Sequence, residues 1–356
     1  MRPLLVLGAV LLIPAGVRAD EPAAPPPPSA TAAAAAVFPG VLVHGTGHLV
    51  AGDRRTGYGL MALEGVGLGL TAGGFAALAA TGASRHLSPV IFATPVAGVG
   101  LFVVSWLADV QGVALPAGAR GAPLLTAPVL EARVGTRYIH DPTIDYGTLL
   151  GPSFDLRWGR WRLSPGAWIA TSGHNTRLEL EAAFRPVGPR PGNTAADGSY
   201  VEIVAGATHH RFREDFDLTV LETGARGRYD LRRFGPSLAG SFAEWGLGLG
   251  WALTHFQVGA RETDADGLLL ARFGYGLYFG HAPGRTGEIM AYYDHRHDDY
   301  AGGLKLSGVG SGAAGHLGLE GTWYLHARWG VRVEAQAGSA YLAGLSVIHR
   351  SPLGAP

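Results

Sequence analysis

From about residue 128 to residue 350, large apolar side chains alternate with small or polar ones at a period of two. The sharpest case is Trp245-Gly246-Leu247-Gly248-Leu249-Gly250-Trp251-Ala252-Leu253, where one set is large and apolar and the other is only glycine and alanine. A helix would mix the two sets around its circumference, whereas a strand sends them to opposite faces. Leu317, Leu319, Gly321, Trp323 and Leu325 alternate in the same way with His316, Gly318, Glu320, Thr322 and Tyr324. Strands of ten or more residues with one apolar and one small or polar face predict a membrane-spanning barrel, apolar outward. The competing architecture is a soluble secreted β-sandwich, whose strands also alternate.

The pattern divides into strands near 128–139, 147–157, 160–170, 176–186, 199–210, 216–229, 240–256, 266–280, 285–296, 301–309, 313–326 and 330–347. This predicts an antiparallel up-and-down barrel of about twelve strands, an even number as such barrels require, or ten if 301–309 is a loop. Aromatics such as Tyr138, Trp158, Trp161, Tyr324 and Trp329 fall near strand ends, as interfacial girdles would. The turn at Gly159-Arg160 is tight; the short turn at 327–330 falls on the opposite side of the barrel in this register.

Alternation places charged side chains inside. The expected lumen pairs draw on Glu131, Arg133, Arg177, Glu179, Arg272, Glu320, Arg332 and Glu334, within a larger inward set that includes Asp155, Arg157, Arg160, Arg162, Glu181, Arg185, Glu202, Glu288, Asp294 and Arg296. In so narrow a lumen these charges replace each other's hydration, so a salt-bridged interior is expected rather than a wide pore. The chain has 28 basic and 28 acidic residues, which leaves no net charge to attract nucleic acid. Cysteine is absent, excluding disulfides and thiolate chemistry. The glycine-rich stretches Gly224-Ala225-Arg226-Gly227 and 308–312 lack the strand-to-helix context and lysine of a phosphate cradle, so no nucleotide is expected, and no cofactor or metal.

Before the strands, residues 1–19 have a basic Arg2, a short apolar run and Val17-Arg18-Ala19, the layout of a signal peptide for Sec-type export. Residues 20–37, with Pro25 to Pro28 and then mostly alanine, read as a linker. Residues 38–125 hold two apolar segments, near 56–81 and 88–110, each with one acid, Glu64 and Asp109. They predict a helical hairpin packed through its small residues on itself and on the barrel, which occupies 126–350 and leaves 351–356 as a tail. The stretch from Phe38 to Asp53, Phe-Pro-Gly-Val-Leu-Val-His-Gly-Thr-Gly-His-Leu-Val-Ala-Gly-Asp, resembles segments that open helical hairpins in small bacterial membrane proteins. His44 and His48 are spaced to share a helical face, but Gly45 stands where a zinc protease needs glutamate. Interfacial histidines and an Asp53 helix cap are the expectation.

The densest polar cluster runs from Tyr292 to Gly303 and includes Asp294, His295, Arg296, His297, Asp298 and Asp299. A solvated hairpin tip is the plain reading. Arg296, Asp298 and Asp299 could instead meet lipopolysaccharide phosphate or a divalent cation. The loop also resembles the His-x-Ser-Asn stretch of outer-membrane phospholipases and lipid A deacylases, which would imply a catalytic His295 with Asp298 in the asparagine position. His297 occupies the nucleophile position, and without a serine there the acyl-enzyme mechanism lacks its central atom. The residues therefore favour a non-enzymatic role.

Taken as a pattern, the chain resembles Gram-negative, myxobacterial-type outer-membrane β-barrel proteins with an N-terminal helical hairpin. That resemblance implies outer-membrane lipid and lipopolysaccharide as surroundings and the barrel assembly machinery as a partner. It implies a structural role or a narrow, gated passage. Members of that group end on an aromatic residue; here Tyr341 or Ile348 is the nearest stand-in.

Overall fold

The computed structural model describes residues 28–82, 88–116, 119–142, 146–172, 175–212, 216–256, 263–282, 285–297, 300, 304–306 and 310–352. The expected signal peptide, most of the linker, Asp298 and Asp299 lie outside them. The helices are α1 (Ala30–Val37), α2 (Thr46–Val50), α3 (Arg54–Ala80) and α4 (Ser88–Ala114). The strands are β1 (Leu130–His140), β2 (Gly147–Trp158), β3 (Trp161–Ala170), β4 (Thr176–Val187), β5 (Tyr200–Arg211), β6 (Phe216–Asp230), β7 (Ser241–Phe256), β8 (Thr263–Ala282), β9 (Arg285–Asp294), β10 (Leu304–Leu306), β11 (Gly310–Ala314), β12 (His316–Tyr324), β13 (Trp329–Ala337) and β14 (Tyr341–Arg350).

Twelve of these strands close into one antiparallel barrel, running β1 to β9 and then β12, β13 and β14. The ring shuts where β1 pairs with β14, from Glu131 opposite Arg350 to His140 opposite Tyr341. A sandwich leaves edges and this sheet has none, so that alternative is removed.

The expected number of strands is right, but two of the expected strands are not. Of the strand expected over 301–309, the described residues Leu304–Leu306 form β10, which pairs with β11 in a separate small sheet and not with the barrel wall. The single strand expected over 330–347 is two, β13 and β14, joined by residues 338–340. Odd-numbered side chains face outward in both, so the alternation runs through the turn in phase and does not mark it. The correction also places the turns at 159–160 and 325–328 at the same end of the barrel, the end where β1 begins and β14 finishes.

The outer wall is apolar: Val134, Leu178, Ile203, Leu249, Leu319 and Val347 are all exposed. Trp158, Trp161, Trp323 and Trp329 ring the terminal end, and Tyr138, Trp251 and Tyr341 mark the far end. Ile348 faces inward and is buried.

The expected linker stops short of residue 37, because Ser29 caps α1 and Ala32 and Ala36 are buried with Val113 of α4. Asp53 caps α3, its carboxylate accepting from Thr56 N–H at 3.1 Å. α3 and α4 pack where a Cβ on Gly98 would stand 2.6 Å from Gly67 O, so glycine sets the spacing of the two helices. α4 lies along the outside of β8. Gly100 meets Phe273, Val104 and Ala108 cluster with Tyr275, and Phe92 stacks 4.9 Å from His295. At the terminal end α3 and α4 meet the β6–β7 connection, with Gly59 on Phe234 and Gly112 beside Leu238.

Candidate functional site in the barrel lumen

The inward faces build a network of ion pairs. Asp155 receives Arg157 at 3.0 Å and Arg162 at 3.2 Å, and also Arg133. Glu202 receives Arg185 at 2.7 Å, Arg226 at 3.0 Å and Arg162 at 3.2 Å. Glu320 holds Arg332 at 2.7 Å and Arg272 at 3.2 Å. Arg228 bridges Glu244 and Glu288, each at 2.6 Å. Several guanidiniums also lie over aromatic faces, including Arg228 on Phe242 and Arg272 on Tyr292, both at 3.8 Å, and Arg137 on Trp168 at 3.9 Å. Such stacking holds a charge without surrounding it with water. Where Phe242 needs room, the facing residue is Gly276, whose Cβ would lie 2.2 Å from the ring.

Of the expected pairs, Arg133 meets Glu131 at 3.0 Å, Arg177 meets Glu179 at 2.8 Å, and Arg272 and Arg332 share Glu320. Glu334 pairs with Arg137, which the expected pairs lack. Arg160 sits exposed in the β2–β3 turn rather than in the lumen. Arg226, Arg228, Glu222 and Glu244 were also missing from the expected inward set. A usable signal was present: Arg226 and Arg228 share their parity with Glu222, and register sets Arg226 opposite Glu202 and Arg228 opposite Glu244. The expected strand over 216–229 already contained Arg226 and Arg228, so their inward parity followed from it.

These side chains surround a cavity of about 660 Å³. Its lining contains 11 arginines and 11 carboxylates, so the charge is balanced within the lumen itself. At the far end, Ile139, Leu149, Trp168, Ala170 and Leu342 join Tyr146, Phe212 and Tyr300 in a buried apolar cluster. His210 stacks on Phe212 at 3.7 Å and lies 2.6 Å from Asn175 Oδ1. Its neighbour His209 points outward, 3.0 Å from Thr219, so the two rings are on opposite faces as adjacent strand residues must be. At the terminal end, the segment from α4 to β1 crosses the mouth. Gly121 N–H donates to Tyr278 O on β8 at 3.0 Å, Ala195 N–H of the β4–β5 connection donates to Leu125 O at 2.8 Å, and residues 122–124 and 126–128 line the cavity.

That connection is itself tied down. Asp197 accepts from Ser199 N–H at 2.8 Å and from Arg233. Burial alone would raise the Asp197 carboxyl, but the bonds from Arg233 and Ser199 prevail and hold it below its ordinary value.

The polar loop after β9 splits between two faces. His295 is buried on the outer wall under Phe92, with Nδ1 2.9 Å from Tyr293 Oη. Burial, reinforced by His297 beside it, brings its imidazole down to about 4. Arg296 turns into the lumen, 2.6 Å from Glu222. His295, expected as a catalytic candidate, and Arg296, expected as a lipopolysaccharide or cation contact, thus face opposite sides of the barrel wall. His297 packs edge-on against His295 at 4.8 Å.

A second polar cluster lies in the helical region, where the expected interfacial histidines are fully buried. His44 precedes α2 rather than sharing a helical face with His48. Its N–H donates to Glu64 at 2.9 Å and its Nδ1 lies 2.7 Å from Ser105 Oγ. Asp109 accepts from Gly47 N–H at 3.2 Å, His48 N–H at 3.1 Å and His48 Nδ1–H at 2.7 Å. The one acid in each apolar helix therefore exists to receive the turn at 44–48. Gly45 makes the fit possible, with φ +83° and a would-be Cβ 2.1 Å from Gly57 O.

No family model matches the sequence, and no curated protein matches it. Among solved structures, the barrel is similar to the KdgM porin in complex with disordered oligogalacturonate, at 10% identity and TM-score 0.35, covering 62% of this chain and 99% of that one. The translocator domain of autotransporter NalP from Neisseria meningitidis matches at 14% identity and TM-score 0.37, over 64% and 90% of the two chains. The Acinetobacter baumannii outer membrane protein Omp33 matches at 12% identity and TM-score 0.32, over 64% and 100%. At these identities the likeness concerns the fold alone.

Proposed function

We propose that this chain is an outer-membrane protein, exported by the Sec route, whose barrel carries a narrow, gated passage for small polar solutes and performs no catalysis. The supporting observation is the charge-balanced cavity enclosed by a sheet with no edge and an apolar outer wall. Both termini of the barrel lie on the periplasmic side, as in single-chain bacterial barrels, so the cluster at Trp168 and Phe212 faces outward. Phospholipid and lipopolysaccharide surround the wall, and the barrel assembly machinery inserts it.

Ion pairs spanning the lumen favour solutes that are neutral or zwitterionic, because an ion of either sign meets as many repelling as attracting groups. The apolar cluster at the far end is the gate. In planar bilayers the protein is expected to conduct weakly, with little preference between anions and cations, and Trp168→Ala combined with Phe212→Ala is expected to raise the conductance several-fold. Unchanged, negligible conductance in the double variant would leave a sealed structural barrel.

A further inference from the structure

We infer that α1 to α4 form a lipid-embedded annex on the outside of the barrel: α3 and α4 span the same bilayer, and residues 30–53 form a re-entrant element in its periplasmic half. The partner of this surface is the acyl-chain region of the membrane. The inference rests on the barrel reading above and extends it to a part of the chain for which that reading has no role.

Placement comes first. α4 packs on Phe273, Tyr275 and Leu277, which alternate along β8 with Arg272, Gly274, Gly276 and Tyr278 of the lumen face. The hairpin is therefore against the outer wall and cannot be a lumen plug. It runs the height of the barrel, from Leu238 at the terminal end to His295 at the far end. Each helix has 27 residues, about 40 Å at the helical rise, enough to cross the hydrocarbon core. The side turned from the barrel is apolar and open, with Val66, Leu68 and Phe75 each more than 50% exposed. In water that surface would be a liability; in lipid it needs no cover.

The re-entrant element supplies an independent observation. Phe38 is 71% exposed and Leu42 66%, on a turn that sits at the level of Glu64 and Ser105, well along both helices. Irregular backbone at such depth is tolerated only if its polar groups are satisfied by protein. The backbone N–H groups of this turn find protein acceptors: Gly40 N–H donates to Ala35 O, Val41 to Val37 O, and Leu42 and Val43 to Pro39 O. The N–H of His44 goes to Glu64, and those of Gly47 and His48 go to Asp109. A turn in water would take its acceptors from solvent, without burying a carboxylate in each apolar helix.

The chain has no cysteine, so single-cysteine variants can be labelled cleanly. Leu42→Cys, Val66→Cys and Phe75→Cys test the annex, Leu178→Cys on the barrel wall is the lipid reference, and Asn193→Cys on the β4–β5 connection is the water reference. Each carries an environment-sensitive nitrobenzoxadiazole label in phospholipid vesicles with or without nitroxide on the acyl chains. The three annex labels are expected to be blue-shifted and quenched as strongly as the label at 178, with the label at 193 unaffected. Annex labels that follow 193 while 178 is quenched would overturn the inference and leave the barrel reading intact. If 178 also behaves as water-exposed, the barrel reading fails and the annex with it.

Discussion

The lumen and the hairpin both bury charge, by opposite means. In the lumen Asp155, Glu202 and Glu320 each gather guanidinium groups from several strands, so Glu202 has Arg162, Arg185 and Arg226 around it. In the hairpin, Glu64 and Asp109 have no arginine and are filled by backbone N–H groups and an imidazole from one short turn. The first arrangement is redundant and the second is not. Many partners also let the lumen be built from side chains alone, whereas the hairpin clamp requires one backbone conformation. The two regions should therefore respond differently to the loss of a single group.

The largest effect is expected from Asp109→Ala. It strands two buried N–H groups and an imidazole, a loss of about 3–5 kcal/mol in local stability by analogy with broken buried pairs. Hydrogen exchange should show protection vanishing at Gly47 and His48, and protease should enter residues 38–53, while the barrel still migrates as a heat-modifiable band. If the barrel unfolds together with the turn, the two regions are one cooperative unit and the contrast is wrong. Gly45→Ala comes next, at about 1–3 kcal/mol for a left-handed backbone forced on alanine, with more from the clash with Gly57 O. The same exchange experiment reads it, and protection lost elsewhere than residues 38–53 would count against the clamp.

Glu202→Gln probes the redundant region. Asp155 and Glu181 still face Arg162 and Arg226, and Arg185 keeps Pro189 O at 2.8 Å, so the stability cost is about 1 kcal/mol, the ordinary net worth of a hydrogen bond. Its clearer consequence is electrical. Removing one carboxylate from a balanced lining leaves an excess of arginine, and the reversal potential under a salt gradient should move toward anion selectivity. A large fall in stability with unchanged selectivity would show that the network is a rigid plug and not the wall of a passage.

Period-two alternation was enough to predict the barrel, its inward charges and its apolar belt, because burial on one side of a strand leaves its record at every second residue. It was blind at residues 338–340, where the turn keeps the phase of the strands it joins. It also misled at Leu304–Leu306, which pair with β11 in a small sheet of their own without joining the wall. The pairs at Glu131, Arg133, Arg177, Glu179, Arg272, Glu320 and Arg332 follow from parity, yet the partner of Glu334 does not. Arg137 reaches it from β1 across β14, a choice set by the closure of the ring. For the helical region the sequence showed two odd acids and two histidines but not that they met, since the contacts span 20 residues in one case and about 60 in the others.

The smallest expected effect is a pH-dependent release of the cover at the terminal end of the lumen. Asp197 locks the β4–β5 connection under the lumen through Arg233 and Ser199, and these bonds depress its carboxyl below the ordinary 3.8. A depressed acid contributes stability above its unfolded value and loses it as the pH falls through the folded value. The lock should therefore be complete at neutral pH and at pH 5, and release only below 3.8. Limited proteolysis of residues 188–199 across that range reads the release, and Asp197→Asn should bring it to neutral pH. Unchanged protease resistance in Asp197→Asn at neutral pH would mean that the connection is held by contacts other than this carboxylate.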